Sequence, residues 1–268
     1  CNDFSSTLKK AKEIIPLENT YENDYLYTSF VKPVAYSMDG YYFLKFNLAY
    51  AAIHPLTQEE FLTKYPFLVV FHEKGELIEF RFDVLKRVFL SDKKEPTIYS
   101  NLIAEMSDYF KEHFECDLIP LNLDFMVNVC KRDENVKLIA QSMKLPNGGN
   151  AQLDVGNNQE YILPFIGELR SLLNDNQAEL EKVPDFREAL EQFMFEMEEM
   201  SDYPWIELLW ENEIKTRSNR VKFVFNYMNK SYCLIQYYYS NVLIGMERMN
   251  YVIEYIVNHR NDDTTQNE

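Results

Sequence analysis

The residues that could carry catalysis or bind a metal are scattered along this chain. Its histidines are His54, His72, His113 and His259, and their spacing suggests no catalytic triad. Motifs for phosphate binding, for a nucleophile elbow and for a zinc protease are absent from the sequence. His113 and Cys116 have the spacing of half a zinc site, but no second close pair completes four ligands. The sequence therefore predicts no catalytic residue, no metal and no cofactor.

The segment 175–213 is unusual in its charge. It holds thirteen acidic residues and two basic ones, which gives it −11 of the chain's net charge of −16. Acids three or four positions apart on a helix repel one another by up to about 0.5 kcal/mol per pair. A solvated acidic face is one interpretation, and a docking surface for a basic partner is the other. The predicted partner-binding residues are acids beside an apolar helical stripe and the two tryptophans: Glu188, Glu191, Glu198, Glu199, Asp202, Trp205 and Trp210.

The charge of the whole chain restricts its partners. It has 27 basic residues against 43 acidic ones, and its pI is about 4.8. Nucleic-acid binding depends on Lys and Arg that replace phosphate counterions, so nucleic acid is not an expected partner. Docking on an anionic membrane through protein charge is disfavoured for the same reason. The composition favours a basic protein partner.

Four β-hairpins are indicated by turn residues between apolar runs. The turns are predicted at Asp39-Gly40, at Lys74-Gly75, around Asp133 to Asn135, and at Asn229-Lys230. In the second hairpin, charged and apolar residues alternate after the turn, which is typical of an antiparallel sheet with one face in water. Consecutive hairpins of this kind predict antiparallel sheet.

Helices are predicted between the hairpins. The predicted ranges are 57–64, 99–114, 159–174, 185–200 and 240–259. Two of them carry apolar stripes at helical spacing, which we expect to be buried. The stripes are Phe186, Leu190, Phe193, Met197 and Met200, and Val242, Met246, Met249, Ile253 and Ile256. The predicted fold class is therefore α+β, with antiparallel β-hairpins packed with amphipathic helices.

The domain organisation is predicted from composition. Residues 1–28 are expected to form a tether and lead-in, followed by an α+β unit at 29–145. The glycine- and asparagine-rich stretch 146–158 is the predicted loop or linker. Residues 159–260 would form a second α+β unit, or a single domain with the first, and 261–268 a flexible tail.

The first residue is Cys1, followed by the polar stretch "NDFSST". This terminus resembles that of a mature bacterial lipoprotein, in which the terminal cysteine carries the lipid. The simpler alternative is that a cysteine happens to occupy the first position. The resemblance implies lipidation of Cys1, membrane attachment only through that lipid, and a place in the bacterial envelope. Asn2 at the following position favours the periplasmic side of the outer membrane under the sorting rule of such lipoproteins.

Three cysteines remain for other roles, namely Cys116, Cys130 and Cys233. An oxidising compartment would permit one disulfide, and Cys116 with Cys130 is the pair nearest in sequence. Cys130 and Cys233 also lie in strand-like runs, where buried free thiols are common.

A non-enzymatic binding protein is the predicted function. In overall character the chain is similar to interbacterial effector-immunity lipoproteins, which bind a toxin and cover its active site. That similarity implies inhibition of a basic toxin. Two alternatives remain: a ligand- or glycan-binding lipoprotein that uses its many aromatic residues, and a hydrolase that depends on carboxylates.

Overall fold

The computed structural model describes residues 3–15, 17, 26–54, 56–84, 97–133, 135–145, 148–154, 169, 172–199, 201–211, 218–238 and 246–260. The chain divides into two compact units, Cys1–Ile119 and Pro120–Glu268, called unit 1 and unit 2. Within the described residues, each unit combines helices with one antiparallel sheet, so the predicted α+β class is confirmed.

The elements of unit 1 are α1 (Phe4–Ile14), β1 (Val34–Met38), β2 (Tyr41–Ile53), β3 (Glu60–His72), β4 (Leu77–Phe82) and α2 (Ile98–Phe114). The strands form one sheet in the order β1-β2-β3-β4. The turn between β1 and β2 is Asp39-Gly40, as predicted, and both residues have positive φ, 54° and 83°. Asp and Gly tolerate this conformation, which matches the twist of a two-residue hairpin. The second predicted turn, at Lys74-Gly75, joins β3 to β4.

One face of this sheet forms the core of unit 1. Phe46, Phe67 and Phe71 are buried there in a cluster that also takes in Leu8 of α1 and Phe110 of α2. The amphipathic pattern of both helices explains their position, because each buries one apolar side. The predicted helix at 99–114 is confirmed by α2.

The opposite face of the sheet is also buried in its middle. Phe43 and Val70 are fully buried, and His72 and Arg81 are buried as well. The alternation after the Lys74-Gly75 turn is correct, but the expectation that its charged face meets water is wrong for Arg81. Alternation assigns residues to a face, and it does not tell whether that face is covered.

The prediction of a tether at residues 1–28 requires correction. Residues Phe4–Ile14 form α1, and Phe4, Leu8 and Ala11 belong to the core of unit 1. Asp3 caps the helix, because its side chain accepts a hydrogen bond from the backbone N–H of Ser6 at 2.8 Å. Cys1 and Asn2 lie outside the described residues.

The helix predicted at 57–64 is wrong. Residues from Glu60 onward form β3, which pairs with β2 from Glu60 to His72. Thr57 lies in the turn before this strand, where its hydroxyl accepts from the N–H of Glu59 rather than capping a helix. The pairing of two 13-residue strands outweighs the local capping signal.

The elements of unit 2 are α3 (Met126–Arg132), β5 (Val136–Lys144), β6 (Asn150–Asp154), α4 (Gln177–Leu180), α5 (Pro184–Glu199), β7 (Asp202–Trp210), β8 (Asn219–Val224), β9 (Leu234–Tyr238) and α6 (Met246–His259). Its sheet has the order β6-β5-β7-β8-β9. The pairing of β8 with β9 confirms the fourth predicted hairpin, with Val221 and Phe223 buried. Its turn differs from the prediction, because β8 ends at Val224, β9 begins at Leu234, and a 3₁₀ turn, Tyr227–Asn229, lies between them.

The third predicted hairpin is wrong in its first arm. Residues Met126–Arg132 form the helix α3, so Cys130 lies on a helix and not in a strand. Only the second arm is a strand, β5, and its partners are β6 and β7. The apolar run before Asp133 is short, and periodicity alone does not distinguish a buried strand from a buried helix over such a length. Cys116, Cys130 and Cys233 are free thiols.

The predicted linker at 146–158 contains the strand β6, which pairs with β5 from Asn150 to Asp154. The described part of this segment is therefore a hairpin inside unit 2, and the division between the units falls at Ile119/Pro120. Most of the predicted helix at 159–174 and the whole tail at 261–268 lie outside the described residues.

The last predicted helix is confirmed in its described part as α6. Ile253 and Ile256 are buried as the stripe predicts, and Val252 and Tyr255 join them. No helix among the described residues is both long enough and apolar enough to span a membrane.

Candidate functional site: the acidic helix α5

The helix α5 lies at the centre of the acidic segment. It begins at Pro184, where a proline is tolerated because the first helical N–H groups have no partner within the helix. Asp185 follows in the first turn, where a negative charge interacts favourably with the helix dipole. The predicted helix at 185–200 is confirmed, so the acids have the helical spacing that the sequence indicated.

The buried side of α5 is narrow. Met194 is buried against Met143 of β5, and Met197 packs on the same cluster with Tyr203 of β7. Leu190 is half-buried. The positions 190, 194 and 197 follow the helical period of three to four residues, so one stripe attaches α5 to the sheet of unit 2.

The predicted burial of the stripe through Phe186 and Phe193 is wrong. Phe186 is 61% exposed and Phe193 is 47% exposed, while the neighbouring Met194 is buried. Phe195, on a different side of the helix, is 57% exposed. Spacing identified the apolar residues of α5, but the helix is rotated so that a methionine rather than the phenylalanines meets the sheet. Exposed phenylalanines on two sides are unusual for a helix that merely covers a core.

Two acidic residues lie on the same side of α5 as Phe195. Glu188 and Glu191 are exposed, and they stand seven and four positions before Phe195. At that spacing the three side chains lie on one side of the helix. Glu191 also accepts a hydrogen bond from Nε of Arg187 at 2.7 Å. Glu198 and Glu199 complete the helix, and their side chains lie outside the described part of the chain.

The remaining predicted partner-binding residues lie on β7 and not on the helix. Asp202 begins this strand and is exposed. Trp205 is half-buried, and Nζ of Lys222 lies 3.7 Å from the centre of its ring. The Trp205 ring is thus already engaged in a cation–π contact within the unit.

The prediction that Trp210 binds a partner is wrong. Its side chain is buried, and its ring meets that of Tyr255 on α6 edge to face, with 5.3 Å between the centroids. Glu207 of the same strand is also buried and forms an ion pair with Arg220 on β8. The acidic segment is therefore divided between an exposed helix and the packed interior of a sheet.

The sequence did not single out a cluster of titratable groups in unit 1. Nε2 of His72 lies 2.8 Å from Oε2 of Glu79, and Arg81 donates to the same oxygen at 2.7 Å. Burial alone would raise the pKa of Glu79, but the charge of Arg81 and hydrogen bonds from His72 and Arg81 hold that pKa below its usual value. His72 and Arg81 are buried, and Glu79 is only 12% exposed, so a substrate would have little access to them.

Within the described ranges, no group of three or more His, Cys, Asp or Glu side chains has the arrangement of a metal site. A depression in unit 2, lined by residues of β8, β9 and α6, encloses about 210 Å³ including open solvent. Ligand pockets usually exceed roughly 300 Å³. This depression therefore does not favour the ligand-binding alternative.

No protein-family model matches the chain, and neither a curated protein nor a solved structure matches it. The interpretation of α5 depends on its own geometry.

Proposed function

We propose that this chain is a non-enzymatic binding protein that docks a basic protein partner on α5. The observation that carries the proposal is the exposure of Phe195 on the side of α5 that also carries the exposed Glu188 and Glu191. Exposed aromatic residues beside charge are a frequent composition of interfaces, in which the aromatic side chain anchors and the rim steers.

The acids and the phenylalanines would act at different stages of binding. Glu188 and Glu191 attract a positively charged protein before contact, which raises the association rate. Phe195 lies on the same side of α5 as these acids and becomes buried only after contact, and the apolar area that leaves water then slows dissociation. Inhibition of a basic toxin by covering its active site is the outcome that we favour for such docking.

The first test separates these two contributions. The partner is captured from the source organism with the full chain, purified, and its association and dissociation rates are measured by surface plasmon resonance. Replacing both Glu188 and Glu191 by lysine is expected to slow association, most strongly at low salt. The reason is that the Debye length falls from about 30 Å at 0.01 M salt to about 8 Å at 0.15 M.

Replacing Phe195 by serine is expected to speed dissociation and to leave association nearly unchanged. A matched control carries Glu105→Lys and Glu112→Lys on α2, which change the net charge equally on exposed acids of unit 1. A captured partner that is acidic would contradict the proposal. So would a basic partner whose two rates are the same for the α5 variants as for the control.

A further inference from the structure

The described elements of the two units follow one another in the same order. Unit 1 has the series α1, β1, β2, β3, β4 and α2. Unit 2 has the series α3, β5, β7, β8, β9 and α6 once β6, α4 and α5 are set aside. In both series the four strands pair antiparallel in chain order, which makes each set a meander. Both units thus consist of a helix, a four-stranded meander and a second helix.

The second helix of each unit ends in the same local structure. α2 carries Tyr109 and His113 four positions apart, and α6 carries Tyr255 and His259 at the same spacing. The two rings of each pair are in contact, with centroids 4.0 Å apart in α2 and 4.2 Å apart in α6. In both helices the histidine Nδ1–H donates to the backbone carbonyl of the tyrosine, at 3.1 Å in α2 and 2.9 Å in α6. Each histidine therefore satisfies a carbonyl in the last turns of its helix.

The same tyrosines make equivalent contacts with their sheets. Tyr109 is buried and meets Phe46 of β2 edge to face, with centroids 5.1 Å apart and ring planes at 84°. Tyr255 is buried and meets Trp210 of β7 edge to face, with centroids 5.3 Å apart and ring planes at 76°. β2 and β7 are each the second strand of their meander. This geometry is favourable for aromatic pairs in general, but its occurrence between the same two elements of both units indicates two copies of one module.

The two units differ between the first and the second strand of the meander. In unit 1 the turn Asp39-Gly40 alone separates the end of β1 from the start of β2. In unit 2 the corresponding strand ends are Lys144 and Asp202, which lie opposite each other in the ladder, and residues 145–201 stand between them. This segment contains β6, α4 and α5. Exposed turns are the places where insertions are best tolerated, so residues 145–201 have the position of an insertion.

The segment has few buried contacts with the meander. Among the described side chains of α4 and α5, Met194 is the only one that is buried. It packs against Met143 of β5 in a small cluster. The meander itself is paired along β5, β7, β8 and β9 without any residue of α4 or α5. We therefore expect the meander to fold when the segment is removed.

We propose that the chain contains two copies of one module, and that residues 145–201 are an insertion in the second copy that carries the partner-binding surface. The second part of this inference rests on the proposed function of α5. Recognition is then confined to a segment that the β1–β2 turn of the first module lacks. The module acts as the scaffold on which the binding helix is presented.

The experiment replaces residues 145–201 of the full chain by Asp-Gly, the turn that joins the equivalent strands of unit 1. Asp-Gly closes a two-residue hairpin, and Lys144 and Asp202 are already opposite each other. The deletion variant is expected to keep a cooperative urea transition of tryptophan emission, since both tryptophans lie on β7. The transition should occur at lower urea than in the wild type, because Met143 loses its cover.

A second deletion variant also carries Met143→Thr, so that no apolar side chain is left uncovered at this place. Both deletion variants are expected to lose binding of the basic partner captured with the full chain, as measured by surface plasmon resonance. The matched control is Asp39→Asn, which changes the equivalent turn of unit 1 and is compatible with the same turn conformation. This control should bind the partner with the rates of the wild type.

Loss of the cooperative transition in both deletion variants would overturn the proposal, because the segment would then belong to the module. Undiminished binding of the partner by a folded deletion variant would overturn it as well. Failure of the proposed function is recognised separately. In that case the full chain captures no basic partner, while the folding of the deletion variants still decides whether residues 145–201 are an insertion.

Discussion

At the scale of single residues, the cluster of His72, Glu79 and Arg81 is the clearest case in which burial changes the meaning of the sequence. Charged residues that alternate along a strand are usually solvated. Here the carboxylate of Glu79 is held between an imidazole and a guanidinium. Taking these groups out of water is costly, and their mutual hydrogen bonds offset that cost only while all members are present.

We therefore expect Glu79→Gln to destabilise unit 1 by about 3 kcal/mol at neutral pH, because it leaves the buried Arg81 without this carboxylate. The free energy of unfolding is measured by urea denaturation followed by circular dichroism. Glu76→Gln, at an exposed position of the same turn, is the matched control. A difference between the two variants of less than the measurement error would contradict the role given to Glu79.

The pH dependence of the same variant gives an independent check. The folded state holds the pKa of Glu79 below its usual value. The stabilisation that this produces is present above the unfolded-state pKa of about 4.3, and it is lost as the pH falls through the folded-state value. The difference in the free energy of unfolding between wild type and Glu79→Gln should therefore narrow as the pH falls below about 4.3.

At the scale of elements, turns were predicted better than burial. Asp39-Gly40 specifies its hairpin through local conformation, which needs no knowledge of the rest of the fold. The prediction of a helix at 57–64 is wrong because the capping pattern that indicates it is local, whereas the strand β2 that pairs with this segment lies earlier in the chain. Long-range pairing outweighs a local signal, and a single segment does not contain that information.

For the helix α5, too, local sequence does not determine which side chains are buried. Its apolar residues and its length were predicted, but the side that attaches to the sheet is displaced from Phe193 to Met194. An apolar stripe about as wide as the helix face leaves its exact rotation undetermined, and the neighbouring side chains Met143 and Tyr203 decide it. The sequence thus predicted the helix and its acidic residues but not which of its aromatic residues are exposed.

Adjacent alanine substitutions test this rotation. Met194→Ala is expected to destabilise unit 2 by about 2–4 kcal/mol, because it leaves a cavity in a packed cluster. Phe193→Ala is expected to cost less than about 1 kcal/mol, since the ring is half in water already. Both are measured by urea denaturation followed by tryptophan emission. Equal costs, or a larger cost for Phe193→Ala, would show that the phenylalanine is the buried side chain.

At the scale of the whole molecule, each unit has a core of its own. The cluster around Phe67 and Phe110 belongs entirely to unit 1, and the cluster around Met143 and Met194 belongs entirely to unit 2. A compact unit with its own core can in general fold by itself. The proposed docking helix α5 belongs to unit 2.

The distribution of tryptophan allows this independence to be tested in the intact chain. Both tryptophans of the sequence, Trp205 and Trp210, lie on β7, so tryptophan emission reports on unit 2 alone. Circular dichroism reports on the strands and helices of both units. If the units unfold independently, the two probes give transitions that do not coincide.

Variants in each unit then assign the transitions. Glu79→Gln should move the part of the circular dichroism transition that belongs to unit 1 to lower urea, while the tryptophan transition stays in place. Met194→Ala should move the tryptophan transition to lower urea and leave the part of the circular dichroism transition that belongs to unit 1 in place, because the Met194 cluster lies in the unit that carries the tryptophans. Should Glu79→Gln shift the tryptophan transition by as much as the circular dichroism transition, the chain unfolds as one cooperative block. The stability of the α5 surface would then depend on residues of unit 1.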